Sequence, residues 1–181
     1  MRVSSTLEHL VKDYAGKVRV VYKNMLVHPD AVLEAHLGGC AAGKQGKFLA
    51  YKDAFWDKGF NAYAAAKDPS KLGGANLREI AKSVGLDLPK WEADLKSDAC
   101  RQELGADMAE LNKFGVHATP SFFVNGKFIG GALPEDQFKK VIDERLAVAE
   151  ASGVPGAEYY QKEILDKGEK KFRSKKDPKP Q

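Results

Sequence analysis

The side chains of this sequence that could carry out chemistry are few, and the two cysteines come first among them. Cys40 and Cys100 stand 60 positions apart, in two different predicted helices. Isolated cysteines of this kind usually behave as small buried apolar residues, and we favour that interpretation. A structural disulfide between them is the main alternative. A reactive or redox-sensing thiol is a further, weaker one.

A metal site built on the histidines and cysteines is a second chemical candidate. His36 and Cys40 are four residues apart and therefore share a helical face, and His28 lies a few residues earlier. Zinc would need three or four such ligands. The sequence contains neither a Cys-x-x-Cys nor a His-Glu-x-x-His pattern. We therefore predict no metal and no other cofactor.

The stretch GVHATPSFFVNGKFIGG (115–131) is the most informative motif. Asn125-Gly126 between two apolar runs is a strong hairpin signal, because both residues accept positive φ. Pro120 stands at the entrance of the first strand, where proline is tolerated because it has no N–H to donate to the ladder. His117 lies three residues before it. The motif predicts a β-hairpin preceded by a loop of defined shape.

The elements around this motif follow from apolar periodicity and from helix-ending residues. The pattern predicts a helix from about Val3 to Gly16, a buried strand VRVVY (18–22), and a helix from about Asp30 to Gly43. A second helical face, a loop or loose turn over 61–74, and three further helices follow. One of these is capped by Asp87. After the hairpin, a last helix begins near Pro134.

Composition fits a folded protein and excludes several classes. The chain has 181 residues, 43% of them hydrophobic and 30% charged. No apolar run approaches the ~18 residues of a membrane helix, and the N-terminus lacks the apolar core of a signal peptide. The net charge of +4 is that of the last twenty residues, which hold eight basic and four acidic side chains. We interpret them as a solvated, partly disordered tail and expect no nucleic-acid binding.

Two stretches together resemble the DsbA-like thiol–disulfide oxidoreductases. The first is AGKVRVVYKNMLVHPDAVLEAHLGGCAAGKQGKFLAYKDAFW, and the second is FGVHATPSFFVNGKFIGGALPEDQFKKVIDERL. The resemblance spans roughly residues 3–150. It implies an α/β fold, namely a thioredoxin-like fold with an inserted helical domain. We expect a domain over 1–150 with the helical insertion at about 28–114. A helical and basic tail would then cover 151–181.

The resemblance also implies how the site is built. The Thr119–Pro120 peptide bond is expected to be cis, so that Thr119 presents its backbone to a bound peptide. His117 lies at the edge of that groove. The expected substrate-binding residues are His117, Thr119 and Pro120, and the expected partners are protein or peptide thiols. The family acts on exported proteins, so the implied location is periplasmic or extracytoplasmic.

The family reaction needs a Cys-x-x-Cys at the N-terminus of the first helix, where the helix stabilises a thiolate. That motif would fall just before Met1 and is absent, and the strand leading into it is absent too. The fold is therefore expected to be N-terminally truncated. We assign no catalytic residue. The alternative function is a non-catalytic peptide-binding or chaperone-like module. A serine-based, glutathione-using relative ranks last, because Ser4 and Ser5 come one turn too late. The gap in the sheet suggests self-association that completes it.

Overall fold

The computed structural model describes residues 2–172 of the chain. Their contacts divide them into two compact units, one made of residues 23–110 and one made of the residues before 23 and from 111 onward. We refer to the first as the helical unit and to the second as the hairpin unit. The expected disorder of the last residues of the basic tail falls on 173–181, outside the described part of the chain.

The helical unit contains a series of short helices. They are α2 (Pro29–Gly43), α3 (Phe48–Phe55), α4 (Ala62–Ala66), α5 (Gly74–Ser83), α6 (Leu88–Leu95) and α7 (Asp98–Lys113), the last continuing three residues beyond the unit. A π-helical segment, Trp56–Asn61, joins α3 to α4, and a 3₁₀ turn, Pro69–Leu72, precedes α5. The predicted cap of α6 is confirmed, since the Asp87 carboxylate accepts the Lys90 N–H at 3.0 Å.

The core of the helical unit forms where aromatic side chains reach the backbone of α2. Tyr51 and Trp91 are almost fully buried, with ring centroids 6.0 Å apart. The indole N–H of Trp91 donates to the Gly38 carbonyl at 2.9 Å. A Cβ on Gly38 would overlap the Tyr51 hydroxyl oxygen and lie 3.0 Å from Trp91 Cζ2. The glycine is therefore required by close packing.

A buried carboxylate fixes the chain where it enters the helical unit. Asp107 of α7 is 7% exposed and accepts two hydrogen bonds from Asn24, one from the backbone N–H at 2.8 Å and one from the side-chain amide at 3.2 Å. The Lys23 ammonium lies 3.1 Å from the other oxygen of Asp107. Because these donors balance the cost of burying a charge, the carboxylate holds residues 23–24 against α7.

The hairpin unit contains α1 (Arg2–Asp13), β1 (Ser121–Val124), β2 (Lys127–Gly130), α8 (Glu135–Ala151) and α9 (Gly156–Tyr159), followed by a π-helical segment Tyr160–Asp166. The strands pair antiparallel, with Phe122 opposite Ile129 and Phe123 opposite Phe128. Asn125 and Gly126 both have positive φ, at 43° and 84°, so the predicted tight turn is confirmed.

One face of the hairpin packs on the two long helices of its unit. Phe122 and Val124 from β1 and Ile129 from β2 join Leu10 of α1 and Phe138 of α8 in a single apolar cluster. Phe122 and Phe138 meet edge to face with centroids 5.0 Å apart. This burial is what holds the hairpin, because two isolated strands are marginally stable in water.

Polar side chains join α1 to α8 beside this cluster. The Tyr14 hydroxyl donates to Asp143 at 2.5 Å, and burial together with that carboxylate raises the pKa of Tyr14 to about 12. The Lys139 ammonium lies between the Asp13 and Glu135 carboxylates, at 2.7 and 2.9 Å, and it holds the pKa of both below the usual range. The side chains of the two Lys139 ion pairs are 35–47% exposed, so these pairs orient the helices more than they stabilise them.

The prediction of a buried strand at VRVVY (18–22) is wrong. These residues are not part of any strand, and Val21 is 67% exposed. The sheet of the described residues has two strands, β1 and β2. An extended segment becomes a strand only when a neighbour accepts and donates its hydrogen bonds. Within the described chain, residues 18–22 have no strand beside them, although Val18 still reaches the apolar cluster.

The prediction of a loop over residues 61–74 is also wrong in part. The Ala-rich run forms α4, and Asp68 caps the following 3₁₀ turn by accepting the Ser70 N–H at 3.0 Å. The Pro and Gly residues of this stretch favoured a loop and obscured these short elements. Lys67, which separates α4 from the 3₁₀ turn, lies in the left-handed region with φ 55°.

Two glycines in helices provide a matched test of the packing. We expect Gly38→Ala to lower the free energy of unfolding by about 1–2 kcal/mol, because overpacking against Tyr51 and Trp91 outweighs the gain in helix propensity. Gly105→Ala on α7 should instead raise it by about 0.5–1 kcal/mol, since no atom lies within 4 Å of the added methyl group. Urea denaturation of both variants measures the difference. A stabilised Gly38→Ala protein would contradict the close approach.

Candidate functional site

The loop that carries the predicted site begins where α7 ends. Gly115 has φ 65°, its N–H donates to the Asn112 carbonyl at 3.1 Å, and the Val116 N–H donates to the Leu111 carbonyl at 3.0 Å. This bond pair is the Schellman ending of a helix. Val116 is 3% exposed and anchors the loop in the protein interior. The chain therefore leaves α7 in a fixed direction.

The residues that follow are exposed and consecutive. His117, Ala118, Thr119 and Pro120 all lie at the surface, and the Thr119–Pro120 peptide bond is cis, as the sequence analysis expected. The Ser121 hydroxyl donates to the Ala118 carbonyl at 2.7 Å, and the Gly131 N–H donates to the Pro120 carbonyl at 2.9 Å. The structure thus brings the three predicted site residues together on one loop and ties both ends of that loop to the hairpin.

The outer edge of β1 continues directly from this loop. The Pro120 carbonyl accepts a hydrogen bond from the Gly131 N–H, and in an antiparallel ladder successive residues point alternately toward and away from the partner strand. The N–H and C=O groups of Phe122 therefore point toward β2. Those of Ser121 and Phe123 point away from it. Among the described residues no group bonds these outward-facing N–H and C=O groups. The loop and the strand edge together offer unpaired backbone groups to an extended chain.

The outer face of the hairpin is aromatic, a feature that the sequence analysis missed. The rings of Phe123 and Phe128 face each other with centroids 5.1 Å apart and are 44% and 49% exposed. Phe114, the residue before Gly115, meets Phe123 edge on at 5.8 Å. The hairpin register already indicates this face, because Phe123 and Phe128 lie opposite each other and residues in opposite positions point to the same face of the sheet.

The two cysteines form a disulfide, and the interpretation of them as unpaired apolar residues is wrong. Cys40 on α2 and Cys100 on α7 have Cα atoms 5.7 Å apart. Cys100 is fully buried and Cys40 is 9% exposed. Proximity in the folded helical unit decides this pairing, and the separation of 60 positions along the sequence conceals it. Neither sulfur is a free thiol, and both lie in the apolar cluster formed by Leu37 and Leu104.

The histidine that shares a helical face with Cys40 has a different partner. Nδ1 of His36 lies 3.1 Å from the Asn24 side-chain oxygen, and this oxygen can only accept, so Nδ1 carries the proton. Burial lowers the pKa of His36. Within residues 2–172 no group of three or more His, Cys, Asp or Glu side chains is arranged to hold a metal ion.

The part of the chain that contains the hairpin, its loop and the surrounding helices matches a known protein family. A family model described as thioredoxin matches residues 2–144. The chain belongs to the thioredoxin family. That assignment covers the hairpin, the Thr119–Pro120 loop and the helical unit alike.

One curated relative is an Na(+)/H(+) antiporter, NhaA, from Herminiimonas arsenicoxydans. It is 29% identical to this chain over 142 residues, which cover 78% of the chain and 21% of the antiporter. The chain thus spans about a fifth of the length of the relative it matches. Over the described residues, no helix has both the length and the apolar character needed to cross a membrane.

The buried disulfide leads to a test of its role. We expect Cys100→Ala to lower the free energy of unfolding by about 4 kcal/mol, because the bond closes a long loop in the unfolded chain. Insulin reduction by the 181-residue chain should stay at background in both proteins, since neither sulfur is accessible. Denaturant unfolding with and without dithiothreitol, alongside turbidity assays, measures both effects. Turnover that disappears in the variant would assign the disulfide a catalytic role.

Proposed function

We propose that this chain binds extended, cysteine-containing polypeptides as a DsbA-like member of the thiol–disulfide oxidoreductases. The observation that carries the proposal is the exposed Thr119–Pro120 loop leading directly into the open edge of β1. Membership in the thioredoxin family supports thiol–disulfide exchange as the class of reaction. The resemblance of the loop and hairpin to DsbA-like proteins supports cysteine-containing polypeptides as the class of substrate. By the same resemblance, the protein works in the periplasm or another extracytoplasmic compartment.

The exposed groups of the site indicate what each residue contributes to peptide binding. Thr119 presents backbone groups to the peptide, and Pro120 shapes the loop at the start of β1. His117 lies at the exposed rim, where it can donate to or accept from a peptide carbonyl or thiol. The Cys40–Cys100 pair takes no part in exchange, because both sulfurs are buried in the helical unit. The residues of this chain thus supply recognition of the polypeptide.

A non-catalytic, chaperone-like binding module is the second candidate function. The aromatic outer face of the hairpin favours it, because exposed phenylalanines bind apolar segments with little demand on backbone register. The two candidates differ in what they recognise. The first needs the hydrogen-bonding groups of the peptide backbone, whereas the second needs only apolar side chains.

Peptide binding at the loop can be measured directly. The probe is a fluorescein-labelled six-residue peptide of alternating phenylalanine and serine. We expect Thr119→Arg to weaken binding by about tenfold, or ~1.4 kcal/mol, because the long charged side chain blocks the approach to the strand edge. The matched control is Ala147→Arg, which adds the same charge to an exposed position of α8. Fluorescence anisotropy should show no loss for the control.

Two N-methylated forms of the probe separate the candidate functions. One carries methyl groups on the phenylalanine nitrogens and the other on the serine nitrogens, so each blocks one edge of the extended peptide. Strand-like binding predicts a loss of about tenfold for one form and little change for the other. Equal binding by all three forms would reject backbone recognition and favour the chaperone-like module.

Self-association that completes the sheet is a separate proposal about partners. It rests on residues 18–21, whose backbone forms no hydrogen bond within the described chain, and on the open edge of β1. We expect sedimentation to show a concentration-dependent dimer, with the outward-facing amide protons of Ser121 and Phe123 protected only at high protein concentration. A monomer at all concentrations would contradict the proposal.

A further inference from the structure

The Cys40–Cys100 disulfide of the helical unit has one sulfur that is more open to a reactant than the other. Cys40 is 9% exposed, whereas Cys100 is fully buried. Thiol–disulfide exchange begins when a thiolate attacks one sulfur of the bond and the other sulfur leaves with the electron pair. An incoming thiolate would therefore attack Cys40, and Cys100 would be the leaving group.

Cys100 lies where a helix favours a departing thiolate. It is the third residue of α7, and its backbone N–H donates to the hydroxyl of Ser97, the residue just before the helix, at 3.4 Å. Negative charge, including that of a thiolate, is more stable at the N-terminus of a helix. The placement of Cys100 alone would therefore favour exchange at this bond.

A carboxylate lies against the more open sulfur. Oε2 of Glu103, one turn after Cys100 on α7, is 3.4 Å from Sγ of Cys40. A disulfide sulfur carries no proton, so the carboxylate oxygen faces the sulfur without receiving a hydrogen bond from it. Glu103 is exposed, and among residues 2–172 no lysine or arginine forms an ion pair with it. Its negative charge is therefore uncompensated beside Cys40.

The basic side chains one helical turn from Cys40 on α2 do not neutralise this charge. Lys44 follows Cys40 by one turn, and its ammonium is paired with the Asp94 carboxylate at 3.0 Å. His36 precedes Cys40 by one turn, and burial lowers its pKa, so the ring is neutral at pH 7. Reactive cysteines occupy electropositive surroundings. On the α2 side, the bond has no unpaired positive charge of that kind.

We propose that Glu103 is a guard residue, which keeps the Cys40–Cys100 bond out of exchange by repelling attacking thiolates. In the reaction that it slows, a thiolate attacks Cys40 Sγ, a mixed disulfide forms, and Cys100 leaves as a thiolate that takes up a proton from water. A second thiolate attacks the reagent sulfur of the mixed disulfide and releases Cys40. The chain gains two thiols, and the reagent is oxidised to its disulfide.

Three small thiols of different charge test the inference, which goes beyond the proposed function and does not depend on peptide binding. The thiolates of cysteamine, 2-mercaptoethanol and 2-mercaptoethanesulfonate are neutral overall, singly negative and doubly negative. Trapping with iodoacetamide and mass spectrometry of the full 181-residue chain give the opening rate per thiolate. We expect Glu103→Gln to speed opening about tenfold with the sulfonate and about threefold with 2-mercaptoethanol, and to leave cysteamine nearly unchanged, because repulsion grows with the charge of the reagent.

Glu79→Gln is the matched control, since it removes an exposed carboxylate from another helix of the same unit. It should leave all three rates unchanged. Salt at about 1 M should shrink the difference between wild type and Glu103→Gln, because it screens exposed charges.

A charge-reversed variant keeps the effect of charge apart from any loss of stability. Glu103→Lys should make the sulfonate the fastest of the three reagents, because the repulsion becomes an attraction. A variant that is only less stable would speed all three reagents by one common factor, since unfolding exposes the bond to each of them equally. Such a common factor, or equal rates for wild type and Glu103→Gln, overturns the inference and leaves burial as the protection of the bond.

Discussion

The candidate site depends on the burial of one face of a two-stranded hairpin. Phe122 and Ile129 pack on Leu10 and Phe138, and without these helices the strands would not persist in water. The positions of Thr119 and Pro120 follow from this packing, because the loop is tied to Ser121 and Gly131 at its ends. The ion pairs and the short Tyr14–Asp143 bond between α1 and α8 help to set the surface on which the hairpin rests. The geometry of the site therefore depends on the packing of the apolar cluster beneath it.

The helical unit is held together by different means. Close contacts at Gly38, a buried carboxylate at Asp107 and the Cys40–Cys100 bond hold its helices together. The covalent bond adds to this packing by restricting the unfolded chain. This gives the two cysteines of the chain a structural role in the helical unit. The exposed backbone edge of β1 lies in the other unit and involves no sulfur chemistry.

Local signals in the sequence predicted the elements that depend on neighbouring residues. Asn125-Gly126 fixed the turn, Asp87 capped α6, and the Gly115 ending of α7 and the Thr119–Pro120 loop are where the motif implies. VRVVY was assigned as a strand because its composition is typical of one, but a strand needs a partner that sequence periodicity cannot supply. The disulfide was placed second to unpaired buried cysteines for the same kind of reason, since it depends on how α2 and α7 meet. The aromatic face was missed because Phe123 and Phe128 become neighbours only in the hairpin register.

Residues 18–21 have a consequence for the behaviour of the protein in concentrated solution. Their backbone forms no hydrogen bond within the described chain, and a β-branched segment of this kind can nucleate intermolecular aggregation. Arg19 interrupts this segment with a charge, and its stacking on Tyr160 keeps that charge in place. Charged residues in such positions act as gatekeepers against fibril-like pairing. The arginine would thus protect the solubility of a chain in which this β-branched segment has no neighbouring strand among residues 2–172.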